Sequence, residues 1–489
     1  MEMDASVLAA LAAVILVSIL LLLPRLRKHH DGRRLPPGSL GLPAVGLCQT
    51  RGLRRALRGN TAEAWLQRWA SAYGPVSKLT LFGFPTAFLV GPSANKFFFG
   101  STALVTKTTM SFNRMVGWRN IRELAGDDHR RVRAMMVQFL KLEAVKSYVA
   151  AMDDEVRHHL SKEWRGHATI SVMPSMKSLT FDIMCTVLFG LTRADHGTAM
   201  RELRVEFQQL LRGLWATPVD LPFTTYGKCL AASRRGRRIV ARIIEERRTR
   251  LGRGGSSPSD DLIAHMLTEG LADEDIIDSV MSLMVAAHDS TASLITFLIR
   301  YLDGNRDAYA KVVAEQQEVA RSKAPGEALS WKDISNMKYT WSAAMETLRL
   351  VPPVFVNFKR AVDDVEFDGH LIPKGWKVMT AASMTHLDPA VFQDPGRFEP
   401  ARFDSPIPPY SFVAFGGGAR MCPGNEFARV EALVAMHYIV TGFKWKLSAG
   451  CDGSFSRHPL PSPAHGLLID IQPIHTTTAT KSTELCVTE

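Results

Sequence analysis

From Ala5 to Pro24 the chain carries no charge, and Ser6 and Ser18 are its only polar side chains there. A helix over this run is about 30 Å long, enough to cross the hydrocarbon core of a bilayer. The pattern then changes. Val76 to Val90 alternates, is rich in β-branched and aromatic residues, and stops at Gly91-Pro92, which predicts a hairpin. From Gly126 to Cys229 apolar residues recur at helical spacing, with a stripe over Thr180 to Leu188. Asp273 to Arg300 predicts one long helix, acidic at its start and apolar on nearly all sides from Val280 onward. His288 and Asp289 fall in its middle, where a bilayer would penalise them, so it belongs in the centre of a large core. Ser330 to Leu350 predicts a further helix stopped by Pro352-Pro353, and Glu426 to Val440 another. The predicted fold is mainly α with a small β-rich lobe.

The flanks of the first run give it a direction. Acidic Glu2 and Asp4 precede it and no small-residue cleavage site ends it, which predicts a retained anchor and not a signal peptide. Arg25, Arg27, Lys28, Arg33 and Arg34 follow, so the positive-inside rule places the rest of the chain in the cytosol. A single-pass anchor in the endoplasmic reticulum membrane fits this order. Pro36-Pro37-Gly38 and Pro43 predict a stiff turn as the body leaves the membrane. The organisation expected is a transmembrane anchor over 1–24, a basic and proline-rich linker over 25–45, one catalytic body over 46–475 and a polar tail over 476–489.

With 46% hydrophobic and 22% charged residues among 489, the body is long enough to bury a large core. Gly252 to Ser259 reads as a flexible surface linker within it. The net charge of +11 raises the question of nucleic acid, and its distribution answers against it. Arg51, Arg54, Arg55 and Arg58 fall on one face of a turn that carries Leu53, Ala56 and Leu57 elsewhere. That pattern suits an anionic membrane surface and equally an ordinary solvated face. Arg234 to Arg253 carries Ile239, Val240, Ile243 and Ile244 on its other side and predicts a helix lying over the body. The six cysteines are scattered without paired spacing, which argues against a disulfide framework or a zinc site.

One of those cysteines stands in a loop built to present sulfur. In Phe415-Gly-Gly-Gly-Ala-Arg-Met-Cys422-Pro-Gly424 three glycines permit a tight backbone that can aim N–H groups at the sulfur. The helix expected to follow would favour the thiolate through its dipole and free amides. The stretch matches Phe-x-x-Gly-x-Arg-x-Cys-x-Gly at Phe415, Gly418, Arg420, Cys422 and Gly424 and resembles the cysteine loop of cytochrome P-450 monooxygenases. The resemblance covers nearly the whole chain after the anchor. It implies haem b (iron protoporphyrin IX), with Cys422 as the iron ligand, a thiolate that favours O–O cleavage. Covalent haem attachment is not supported, since no Cys-x-x-Cys-His occurs.

Other segments extend the resemblance. Ala286-Ala287-His288-Asp289-Ser290-Thr291, read alone, holds hydroxyls bonded back to the preceding turn. It is similar to the family's Ala/Gly-Gly-x-Asp/Glu-Thr-Thr/Ser, which implies that Asp289 and Ser290 relay protons to bound dioxygen. Ala287 stands where glycine is usual and Ser290 where threonine is usual, which leaves the hydroxyl without the methyl that fixes its rotamer. Glu346-Thr-Leu-Arg349 resembles the family's Glu-x-x-Arg and Phe398 to Phe403 its arginine segment, implying a structural network of Glu346, Arg349 and Arg402. For the haem propionates the resemblance implies Arg420, His129 and Arg133 in place of Trp-x-x-x-Arg, and Arg360.

Pro373 to Lys377 and Phe415 to Glu431 look most like plant enzymes that oxidise triterpenoids, diterpenoids and steroids. Val354-Phe-Val-Asn-Phe358 offers an apolar wall for such a scaffold. The chain has no flavin or nicotinamide fingerprint, so NADPH-derived electrons are expected from a membrane-bound flavoprotein reductase steered by a basic face. Two rivals are a haem-thiolate isomerase or dehydratase working without dioxygen, and a non-catalytic haem carrier or sensor. The acid and alcohol at Asp289 and Ser290 argue against both.

Overall fold

The computed structural model describes residues 34–41, 43–214, 216–255, 257, 261–457 and 460–474, with the backbone alone for 43–48. The expected anchor over 1–24, most of the linker and the tail over 476–489 lie outside the described residues. So do parts of the expected surface linker after Gly252.

In chain order the helices are α1 Pro43–Arg58, α2 Ala62–Tyr73, α3 Pro92–Gly100, α4 Met110–Val116, α5 Gly126–Leu140, α6 Leu142–Glu163, α7 Val172–Phe189 and α8 Arg193–Leu211. They continue as α9 Thr225–Gly252, α10 Leu262–Thr268, α11 Asp273–Gly304, α12 Arg306–Arg321, α13 Trp331–Asn336, α14 Lys338–Leu350, α15 Ala382–His386 and α16 Asn425–Gly442. The strands are β1 Val76–Leu81, β2 Phe84–Leu89, β3 Leu104–Val105, β4 Thr169–Ser171, β5 Val356–Ala361, β6 Val365–Phe367, β7 His370–Ile372, β8 Lys377–Ala381, β9 Phe443–Leu447, β10 Phe455–Arg457, β11 Pro461–Pro463 and β12 Leu468–Pro473.

The largest sheet runs β1-β2-β8-β5-β3, with β2 and β8 parallel and its other pairs antiparallel. The hairpin expected over Val76 to Val90 is present, turned by Phe82 at φ 53° and Gly83 at φ 76°. Its faces bury two small cores apart from the main one, and α1 and α2 cover one of them through Leu53, Ala56, Ala62 and Leu66. This sheet with α1 and α2 is the β-rich lobe. The rest is a helical body around α11, whose residues from Ile276 to Leu302 are mostly buried. Helices α7 and α11 are apolar and long enough to cross a membrane, but both lie inside the body, as the charges within α11 led us to expect.

Three expectations need correction. The run Ser330 to Leu350 is two helices, because Ser330 and Asp333 close a capping box around α13 and Met337 leaves helical geometry at ψ 54°. Pro43 does not sit in a turn: it is the first residue of α1, a position where its missing N–H costs nothing. The linker boundary at residue 45 therefore falls inside a helix, and the chain already joins the body before it. The Leu371 amide donates to Arg34 O at 2.8 Å and the Lys78 amide to Pro37 O at 2.8 Å. The basic patterns are placed as expected: Arg51, Arg54, Arg55 and Arg58 are exposed, and α9 buries Ile239, Val240, Ile243 and Ile244.

Candidate functional site

The loop before α16 is shaped by backbone. The Cys422 amide donates to Phe415 O at 2.9 Å, closing the first eight residues of the run read from the sequence into a turn. Gly416 and Gly418 adopt φ of 75° and 64°, where an L side chain is strained. A Cβ on Gly418 would also stand 2.5 Å from Phe99 O, so α3 packs against the loop only because that position is bare. Gly424 caps α16, and its amide faces the Cys422 sulfur. Burial pushes the Cys422 thiol up, and the Gly424 amide and Arg133 oppose that without reversing it.

Around the loop stand cations in excess. Arg420 donates to Leu124 O at 2.6 Å and Ile121 O at 3.2 Å, and Arg133 to Met421 O at 2.6 Å, which ties α5 and the turn before it to the cysteine. His129 is buried in α5, and burial with Arg420 and Arg133 lowers its pKa to about 4. Arg122 stands beside Arg420, and burial depresses its pKa although the residue is exposed by area. Lys359 reaches the same group from β5, where burial and Arg420 bring it down to about 8. Glu123 is the carboxylate in Arg420's field, and it is taken up by Lys107 at 3.0 Å and by Thr108.

Arg360 does not join this cluster. Side chains alternate along a strand, and Val356 and Phe358 pack toward α1 and α2. Arg360 follows them, opposite Lys377, whose ammonium it helps to depress. Lys359, one residue earlier, faces inward and donates to Phe98 O at 2.7 Å. The period of two from Phe358 could have shown this in the sequence.

Between Ile276 and Ile299, α11 is buried except at Val285, Ala286, Ala287 and Ser290, which are partly or fully exposed. An apolar core helix with one open face of small side chains borders a void. The Ser290 hydroxyl donates to Ala286 O at 2.8 Å, the back-bond expected of a helix interior, and keeps its lone pairs for an acceptor role. Asp289 is turned away from Ser290. Its Oδ1 lies 2.7 Å from His288 Nδ1 and 3.0 Å from Lys177 Nζ. Burial opposes the anion, but His288 and Lys177 outweigh it and hold the carboxyl below its usual range. Neither partner was anticipated; Lys177 comes from α7, and nothing in its local sequence marks it. Thr291 is hydrogen-bonded to Glu431 of α16, whose carboxyl burial pushes up to about 8.

The Glu346 network is as expected. Arg349 grips Glu346 at 2.6 and 2.7 Å, both fully buried, and Arg402 Nε adds a contact at 3.3 Å. Arg349 also donates to His386 O and Pro395 O, so it fixes the segment leading to the cysteine loop.

These residues fit a haem. The loop presents a half-buried cysteine, the core helix α11 has small side chains left open at Ala286 and Ala287, and the cations beside the loop outnumber their carboxylate partner, as two propionates would require. Among the described residues no cluster of His, Cys, Asp or Glu offers a rival metal site. The free Cys185 and Cys229 are buried, and burial raises both thiols.

The comparisons agree with this geometry. A family model described as Cytochrome P450 matches residues 36–469. The chain is 35% identical over 475 residues to a beta-amyrin 28-monooxygenase of Barbarea vulgaris, covering 96% of this chain and 99% of the relative. It is 34% identical over 485 residues to a taxane 10-beta-hydroxylase of Taxus cuspidata, covering 97% and 96%. The solved structure of retinoic acid bound cyanobacterial CYP120A1 is similar at a TM-score of 0.79 and 26% identity, covering 91% of this chain and 100% of that one.

Proposed function

The chain belongs to the cytochrome P450 family and is a monooxygenase, and from that premise we propose that it hydroxylates a terpenoid or steroid scaffold at an unactivated carbon. The observation that carries the substrate class is the near full-length similarity to enzymes named for beta-amyrin and for taxanes. The apolar wall agrees with it: Val354 remains 47% exposed after the buried Pro352 and Pro353, as a residue lining an open binding space would. Bulky hydrocarbon binds such a wall by burying apolar area at about 25 cal/mol per Å².

When bound, the haem would supply the oxygen-activating chemistry, and Cys422, in the loop before α16, would hold its iron. Arg420, Arg133, His129, Arg122 and Lys359 would hold the propionates, the last in the place expected of Arg360. On α11 the small, open side chains of Ala286 and Ala287 would leave room for a substrate. Ser290 can accept a proton at Oγ and pass it inward, and Asp289 resupplies it. The Glu346, Arg349 and Arg402 network keeps the cysteine segment in place and touches no reactant. Electrons would come from an NADPH-dependent flavoprotein reductase. An anchor over 1–24 would place the body on the cytosolic face of the endoplasmic reticulum, with the four exposed arginines of α1 on the anionic surface.

The test is co-expression with such a reductase and a panel of triterpenoid, diterpenoid and steroid scaffolds, read by the shift of the Soret band on binding and by product analysis. Turnover of a fatty acid or small polar compound, with no shift and no product from the panel, would overturn the substrate class. Turnover without reductase or dioxygen would overturn the reaction class.

A further inference from the structure

We propose that His288 is a positioning residue for proton delivery, clamping Oδ1 of Asp289 so that Oδ2 takes protons from solvent through the cavity between α7 and the β10–β11 hairpin. The inference rests on the monooxygenase reading above and concerns how its proton supply is built.

His288 and Asp289 are consecutive on a helix, where side chains point about 100° apart and do not normally meet. Here they meet at 2.7 Å because the imidazole is turned by two rings. Phe181 and Phe207 stand edge-on to it at 6.0 and 5.4 Å, and the residue is 1% exposed. Its Nε2 is buried without a hydrogen-bond partner. A buried N–H with no acceptor is costly, so the ring proton belongs on Nδ1, where it is donated to Asp289 Oδ1. Lys177 Nζ reaches that same oxygen at 3.0 Å. Among the described residues Oδ2 receives no hydrogen bond, and it is the oxygen left to titrate.

Asp289 lines a cavity of about 210 Å³ together with Lys177, Ser456 and Ser462. That volume and those hydroxyls suit several waters. The Lys177 side chain is 30% exposed, so the cavity reaches solvent at its ammonium. A hydronium there transfers its proton to Oδ2: the new O–H forms as the donor O–H breaks, leaving water. The neutral carboxyl loses its attraction to Lys177 and can turn along the helix toward Ser290, whose oxygen lone pairs accept. Having given up the same proton, the carboxylate returns to Lys177 and His288.

His288→Leu fills the slot between the rings and removes the donor. We expect product formed per NADPH to fall about tenfold and peroxide to rise, an order of magnitude less than loss of general-acid help itself. The carbon monoxide difference spectrum, the substrate-induced Soret shift and turnover driven by iodosylbenzene, which donates oxygen without proton delivery, should not change. A merely structural role would move all of them. His288→Asn, whose side-chain amide can replace Nδ1–H, should restore coupling, and Ser462→Phe, which plugs the cavity, should reproduce the loss. Nitrogen NMR of isotope-labelled histidine in the diamagnetic reduced carbon monoxide complex should show His288 protonated at Nδ1 and bare at Nε2. Protonation at Nε2 overturns the proposal without reference to activity. So does full coupling in His288→Leu while Asp289→Asn uncouples. Full coupling in Asp289→Asn and Ser290→Ala as well would instead overturn the proton-delivery role given to those residues above.

Discussion

On one side of the site Cys422 is placed by its own neighbours in sequence; on the other, Asp289 is placed by Lys177, more than a hundred residues away. The cysteine loop closes through the Phe415 carbonyl and two glycines with positive φ, all within ten residues. Backbone geometry of that kind tolerates almost no substitution and needs almost no support. On α11 the backbone is an ordinary helix, and the chemistry lies in where side chains turn. Side chains there can be exchanged without moving the backbone, because neighbouring elements hold the geometry. The loop has no such latitude.

The sharpest test of the contrast is Cys422→Ser, which alters one atom in a loop whose backbone stays unchanged. The red-shifted Soret band of the reduced carbon monoxide complex should vanish altogether while the protein stays folded. Persistence of that band would remove the cysteine from the iron and the loop from its role.

Whether the loop is held by its own backbone alone is tested by Glu346→Ala. Arg349 is fully buried, and losing its carboxylate leaves an uncompensated charge beneath the segment that leads to the loop. Breaking a buried pair in this way costs about 3–5 kcal/mol. Chemical unfolding should show that loss together with a low yield of haem-loaded protein. A stability within about 0.5 kcal/mol of the parent would mean that the loop stands without the network.

On the opposite side Ser290→Ala should retain the Soret band and lose up to about a hundredfold in product per NADPH, with the missing electrons found as peroxide. Coupling equal to the parent would move the relay elsewhere on α11, and Thr291, hydrogen-bonded to Glu431, stands next to it.

The contrast also explains what the sequence could reveal. Cys422, Gly418, Arg420 and Gly424 were legible because a single loop sets their geometry, and the hairpin and α11 because their periodicities are strong. The break at Met337 was not, since one residue leaving helical geometry hardly disturbs an apolar period. Lys177 and Arg122 were invisible because tertiary packing alone brings them to the site. Arg360 is of a third kind: it and Lys359 are adjacent cations on one strand, of which alternation admits only one to the inner face.

That pair supplies the smallest expected effect. Lys359 and Arg360 differ by one position, and alternation puts them on opposite faces of β5. Lys359 faces Arg420 in a crowded positive field, and burial with that field brings its pKa to about 8. A carboxylate placed among these cations would reverse the penalty, which is what a propionate does. Removing the ammonium should therefore relieve the haem-free protein slightly and weaken the loaded one. Lys359→Met is expected to release haem to an acceptor protein about tenfold faster, the loss of one hydrogen bond to a charged group. Arg360→Met, on the face toward α1 and α2, should stay within about twofold, since an exposed surface charge contributes little. Rapid haem loss from Arg360→Met with none from Lys359→Met would reverse the two faces of β5, and the register of β5 against β8 would have to be redrawn with it.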